Sequence, residues 1–114
     1  MSAPDAYTRV RAFLADAEVR PEFAARAMAR IEAQTQELGT SFLWGSLSAL
    51  VAECAQEAED LAAWSALIAT RIEHDGGEPF ATRRARALLT AATQRAGEAD
   101  TMLCELRRLI ERAA

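Results

Sequence analysis

Glu73, His74 and Asp75 stand together with Glu78 close behind, and an acid beside the only His of the chain could make a proton-transfer pair or part of a metal site. The spacing argues against both. Adjacent residues on a helix project in different directions, and the His-x-x-Glu or Glu-x-x-His spacing of helical ligand pairs is absent. These four are therefore read as a solvated helix end. Glu53, Glu57 and Asp60 do share one helix face, at steps of four and three, as carboxylate metal centres require. Such centres also need Glu and His on the facing helix, where only Glu98 and Asp100 stand and no His, so no metal is expected.

Arg83, Arg84 and Arg86 form a basic cluster, followed by Arg95 and then by Arg107, Arg108 and Arg112. A phosphate-binding face wants such charges together with a recognition helix or stacking aromatics. Here the chain has a pI near 5.0, and acids stand close by at Glu73, Asp75 and Glu78. Pairing with those acids, or simple solvation, is the stronger reading, and binding of nucleic acid through Arg83, Arg84 and Arg86 is only an alternative. Cys54 falls on an apolar helical stripe and is expected to be a small core residue; nothing beside it in sequence would lower its pKa. There is no P-loop, dinucleotide fingerprint, G-x-S-x-G or C-x-x-C. The chain is accordingly read as a non-enzyme without catalytic, cofactor or metal residues.

The elements that carry these residues are marked out by Gly and Pro. Pro21, Gly39, Gly76, Gly77 and Pro79 divide the 114 residues into three stretches of strong helix formers. Ser2 and Asp5 resemble a capping box with Pro4 in the first turn, so a first helix is expected from about Pro4 to Glu18. Pro21 breaks or kinks this arm, which restarts and runs through Leu38 to Gly39. Thr40 or Ser41 is expected to cap a second arm reaching His74, a helix of about 34 residues and 50 Å. Its stripe reads Leu43, Leu47, Leu50, Cys54, Ala58, Leu61, Ser65, Ile68 and Ile72. Asp75, Gly76 and Gly77 turn the chain into a last arm, opened by Glu78 and Pro79, with the stripe Ala81, Ala85, Leu88, Ala92, Ala96, Ala99, Leu103, Leu106 and Ile110.

Both stripes step by about 3.6 residues on average, which favours nearly straight helices. The short turn makes the two arms antiparallel. Centred on Gly76, it sets Leu61 and Ile68 against the Ala92 and Ala85 region and Leu47 and Leu50 against Leu103 and Leu106. It also holds Cys54 and Cys104 about 9 Å apart along the axis, which excludes an intrachain disulfide. The fold class expected is all-α: one domain over residues 1–114, an antiparallel bundle of three long arms, the first broken near Pro21 to make four helices.

Composition bounds the rest. Hydrophobic residues make up 51% of the chain, but Ala alone supplies 27 of them, and small side chains stabilise less on burial than Leu or Ile. All 13 basic residues are Arg and none is Lys. Residues 41–78 carry seven acids against Arg71, whereas residues 79–114 carry seven Arg against four acids. The start lacks the positive charge and apolar run of a signal peptide. The longest uncharged stretch, Leu38 to Ala52, is 15 residues, short of the ~20 needed for a bilayer. A soluble, cytoplasmic protein is expected.

Leu61 to Ala69 is apolar around nearly its whole circumference, and Phe42, Trp44 and Val51 add to the start of the same arm. Trp44 and Trp64 are about 200° apart around a helix, and three arms leave few ways to cover both. Phe42, Trp44, Val51, Trp64 and Leu67 are therefore the expected interaction surface, with a homodimer as the first partner and a helical segment of another protein as a second. The function expected is association without catalysis, as a dimeric adaptor, chaperone or regulatory binding protein. A carrier of an apolar molecule near Trp44 and Trp64 is the other alternative. In size and helix length the pattern is similar to secretion and flagellar export chaperones and to granule-associated phasins, a likeness of shape that no motif carries.

Overall fold

The computed structural model describes residues 2–76 and 79–113 and is all α, with four α-helices, one 3-10 helix and no strand among the described residues. The chain divides into two compact units, Met1–Gly45 and Ser46–Ala114.

The first unit holds helix α1 (Ala3–Asp16), helix α2 (Pro21–Leu38) and a 3-10 turn over Thr40–Trp44. The capping box is present: the Asp5 N–H donates to the Ser2 hydroxyl oxygen at 3.3 Å, and the Ser2 N–H donates to the Asp5 carboxylate at 3.3 Å. The break expected near Pro21 is a four-residue link. Glu18 takes the left-handed conformation (φ 59°) just past the end of α1, and Arg20 is extended (ψ 138°), as a residue before Pro prefers. Pro21 then opens α2 at a position whose N–H has no helical partner anyway. Gly39 (φ 83°) ends α2. The Arg11 guanidinium donates to the Glu32 carboxylate at 3.2 Å, tying α1 to α2. Ala6, Met28 and Thr35 are buried, and the Thr35 hydroxyl is satisfied by the Ile31 carbonyl at 2.8 Å.

The second unit is a helical hairpin of α3 (Leu47–Asp75) and α4 (Pro79–Ala113). The helix start expected at Thr40 or Ser41 is corrected. Residues 40–44 form the 3-10 turn, and Ser46 is the cap, its hydroxyl accepting from the Ala49 N–H at 3.1 Å. Gly45 explains the delay, because glycine disfavours helix by about 1 kcal/mol and the next residue is a ready capping serine. Helix α3 thus has 29 residues and is about 43 Å long, shorter than expected. Gly76 closes it in the left-handed conformation (φ 68°), its N–H donating to the Ile72 carbonyl at 3.3 Å. Gly77, expected in the turn, and Glu78, expected to open the last arm, lie outside the described residues.

The α3–α4 seam differs from the stripe of large residues. Residues buried or half-buried on α3 are Val51, Ala55, Ala58, Ala62, Ser65, Ala69 and Ile72, in strict steps of four and three, with Leu50 half-buried beside Val51. On α4 they include Thr82, Ala85, Leu89, Ala92, Ala96, Ala99 and Leu103, in the same alternation. A mean step of 3.5 is the spacing of a left-handed coiled-coil seam, in place of the nearly straight 3.6 pattern. Ala96 is 3% exposed, Ser65 4% and Val51 6%. Small side chains win the seam because they let two helix backbones approach closely over a long contact. The expected core positions Leu47, Cys54, Leu61 and Ile68 of α3, and Leu88 and Leu106 of α4, are all exposed instead. Ala81, the first residue of the expected α4 stripe, has its side chain outside the described ones.

Candidate interaction surface

The hairpin has two unlike broad faces. Its helices are antiparallel, so residues displaced to the same side of the seam on each helix lie on one face of the pair. One face is polar, with Thr70, Glu73, Arg86, Thr90, Thr93 and Gln94, and the Arg86 guanidinium pairs with Glu73 across it. The hydroxyls of Thr70 and Thr93 donate to the carbonyls of Ala66 and Leu89, both at 2.9 Å.

The other face is apolar. Leu47, Leu61, Trp64 and Ile68 project from α3, and Leu88, Met102, Leu106 and Leu109 from α4. All eight are exposed; Trp64 keeps 62% of its surface accessible and Met102 64%. Leu47 borders a groove with Leu109, Ile110 and Ala113, which sets the register. Large residues do meet far from the turn, but Leu47 meets Leu109 and Ile110 rather than Leu103 and Leu106. The turn centre is the reason: α3 continues to Asp75 and α4 starts at Pro79, so the midpoint falls at about residue 77 instead of Gly76. Around Trp64 the surface dips into a shallow groove of about 280 Å³ lined by Leu67, Ile68, Arg71 and Ile72.

Of the five residues expected to form the surface, Trp64 and Leu67 lie exposed on α3. Val51 instead packs into the α3–α4 seam, because it sits one residue beyond Leu50 on the alanine side of the helix. Trp44 belongs to the first unit, in the 3-10 turn, and is 51% exposed. Phe42 lies in the same turn, and its side chain falls outside the described ones. Leu88, Met102, Leu106 and Leu109 were not singled out for the surface. Leu88 and Leu106 belong to the stripe expected to be buried, whereas Met102 and Leu109 are large residues offset from it.

The polar candidates are paired locally. Arg71 Nε donates to both Asp75 carboxylate oxygens at 3.0 and 3.1 Å, and His74 Nδ1 lies 3.3 Å from one of them. Arg86 takes Glu73, while Arg83 and Arg84 are exposed and Glu78 lies outside the described residues. Glu53, Glu57 and Asp60 are exposed, and among the described residues no three His, Cys, Asp or Glu gather as a metal set. Cys54 and Cys104 are free and exposed, so Cys54 is a surface thiol and not the core residue expected. A cleft lies within the first unit, between α1 and α2. It measures about 670 Å³ and is lined by Leu14, Val19, Ala25 and Met28, with the Arg11–Glu32 pair at its edge. No helix among the described residues is long and apolar enough to cross a membrane.

Comparison with protein-family models, with curated proteins and with solved structures gives no match.

Proposed function

We propose that this chain acts by protein association and not by catalysis, as a homodimeric adaptor, chaperone or regulatory binding protein whose contact surface is the apolar face of the α3–α4 hairpin. The observation that carries this reading is the exposure of eight large apolar side chains on one face of a two-helix layer, with Trp64 among them. A layer of two helices needs a second layer to cover such a face. The alanine seam leaves few buried apolar atoms of its own, Val51 and Ala96 being the buried apolar side chains described in the hairpin. A partner helix entering the same face would be read through anchors at i, i+3, i+4 and i+7.

Sedimentation equilibrium tests the reading. A dimer is expected at tens of micromolar, and Trp64→Ala is expected to weaken it, since truncating a buried aromatic costs about 3–5 kcal/mol. A clean monomer near 12.4 kDa would overturn it.

A further inference from the structure

Resting on that reading, we infer that the surface which covers the apolar hairpin face is the same face of a second copy, stacked with its turn at the same end, so that α3 of each copy runs along α4 of the other. Size supports a second hairpin. The face is about 43 Å long and two helices, roughly 20 Å, wide, so two copies would bury on the order of 1,700 Å², the area of a standard stable interface. A single added helix would cover about half of it.

Charge selects the orientation. Helix α3 carries six carboxylates against Arg71, a net of −5 with His74 neutral, and α4 carries seven Arg against four carboxylates, a net of +3. Two hairpins can stack face to face about a two-fold axis in two ways. With the axis across the helices the turns lie at opposite ends, and acidic α3 meets acidic α3 while basic α4 meets basic α4. With the axis along the helices the turns lie together, and each acidic helix lies beside a basic one. Like charges brought together at an interface are unfavourable, and opposite ones favour association and fix register. The same choice holds locally. Asp60, exposed on the outer edge of α3, and Arg95 of α4, exposed on the apolar face and paired with Glu98 at 2.8 Å, stand at nearly the same height along the hairpin. Same-end stacking brings Asp60 beside the partner copy's Arg95; opposite-end stacking brings Asp60 toward the partner copy's own acidic helix. Both stackings make every neighbouring pair antiparallel, the arrangement of an up-down four-helix bundle, so charge alone decides between them.

The experiment measures both the dimer constant and the orientation. For orientation, a spin label is placed on His74→Cys, an exposed site at the turn end of α3, in a chain carrying Cys54→Ala and Cys104→Ala. Electron–electron distance measurement is expected to give label pairs within about 30 Å, whereas opposite-end stacking gives about 40 Å or more, the length of the helix. For charge, Asp60→Arg and Arg95→Asp alone are each expected to raise the dimer Kd about five- to tenfold, and the two together to restore it. A dimer with distant labels, or one whose Kd neither single change moves, would overturn the same-end inference and leave association through this face standing. A monomer of the unsubstituted chain would overturn both.

Discussion

Glu18 is the position where backbone and side chain disagree. It holds the left-handed conformation (φ 59°) at the residue after the α1 cap, a place that glycine usually fills and that costs other residues about 1–2 kcal/mol. Glu18→Gly is expected to raise unfolding free energy by up to about 1 kcal/mol, and Glu18→Val to lower it by a similar amount, both measurable by urea titration. Asp5 gives a second expectation. Hydrogen bonds from the Ser2 hydroxyl and then from its backbone N–H hold the Asp5 carboxyl below its ordinary value of 3.8. A carboxyl depressed on folding contributes stability that is present above its unfolded pKa and is lost as pH falls through its folded one. Acidification below about pH 4 is therefore expected to loosen the first turn of α1, seen as faster amide exchange over residues 3–6, and Asp5→Asn should remove that pH dependence. Both features were visible in the sequence only in part: Ser2 and Asp5 carry the capping-box spacing, whereas nothing in the side chain of Glu18 signals a left-handed residue.

At the scale of elements, the helices and their ends were largely legible because Pro21, Gly39, Gly76 and Pro79 act through local backbone geometry. The face each helix buries was less so. With Ala at so many positions, several stripes fit α3 equally well, and the choice of Leu47, Cys54, Leu61 and Ile68 over Val51, Ala55, Ala62 and Ala69 followed the usual link between side-chain size and burial. That link fails where two long helices gain more from close approach than from large side chains. The seam then predicts its own sensitivity. Ala96 is 3% exposed on the α3–α4 seam, where added bulk must push the two helices apart, so Ala96→Leu is expected to cost about 1–3 kcal/mol, read as a lower melting temperature. Leu61→Ala, on the apolar face, should hardly change the stability of the dilute protomer and should instead weaken self-association. Circular dichroism melts at low and high concentration separate the two effects.

For the whole molecule, association through the apolar face makes stability depend on concentration. The melting temperature is expected to rise with each tenfold increase in protein, as binding that favours the folded state requires. A melting temperature that does not move over three decades would contradict this. The alanine and serine seam has a consequence in heat capacity as well. Exposing apolar area raises the heat capacity of unfolding, and a seam in which alanine and serine outnumber Val51, Ile72, Leu89 and Leu103 exposes less of it than one built of large side chains. The lone hairpin should therefore have a flat stability curve that reaches far into the cold, while a union held by Leu, Met and Trp surfaces weakens as temperature falls. Chilling should pull the copies apart before it unravels either one.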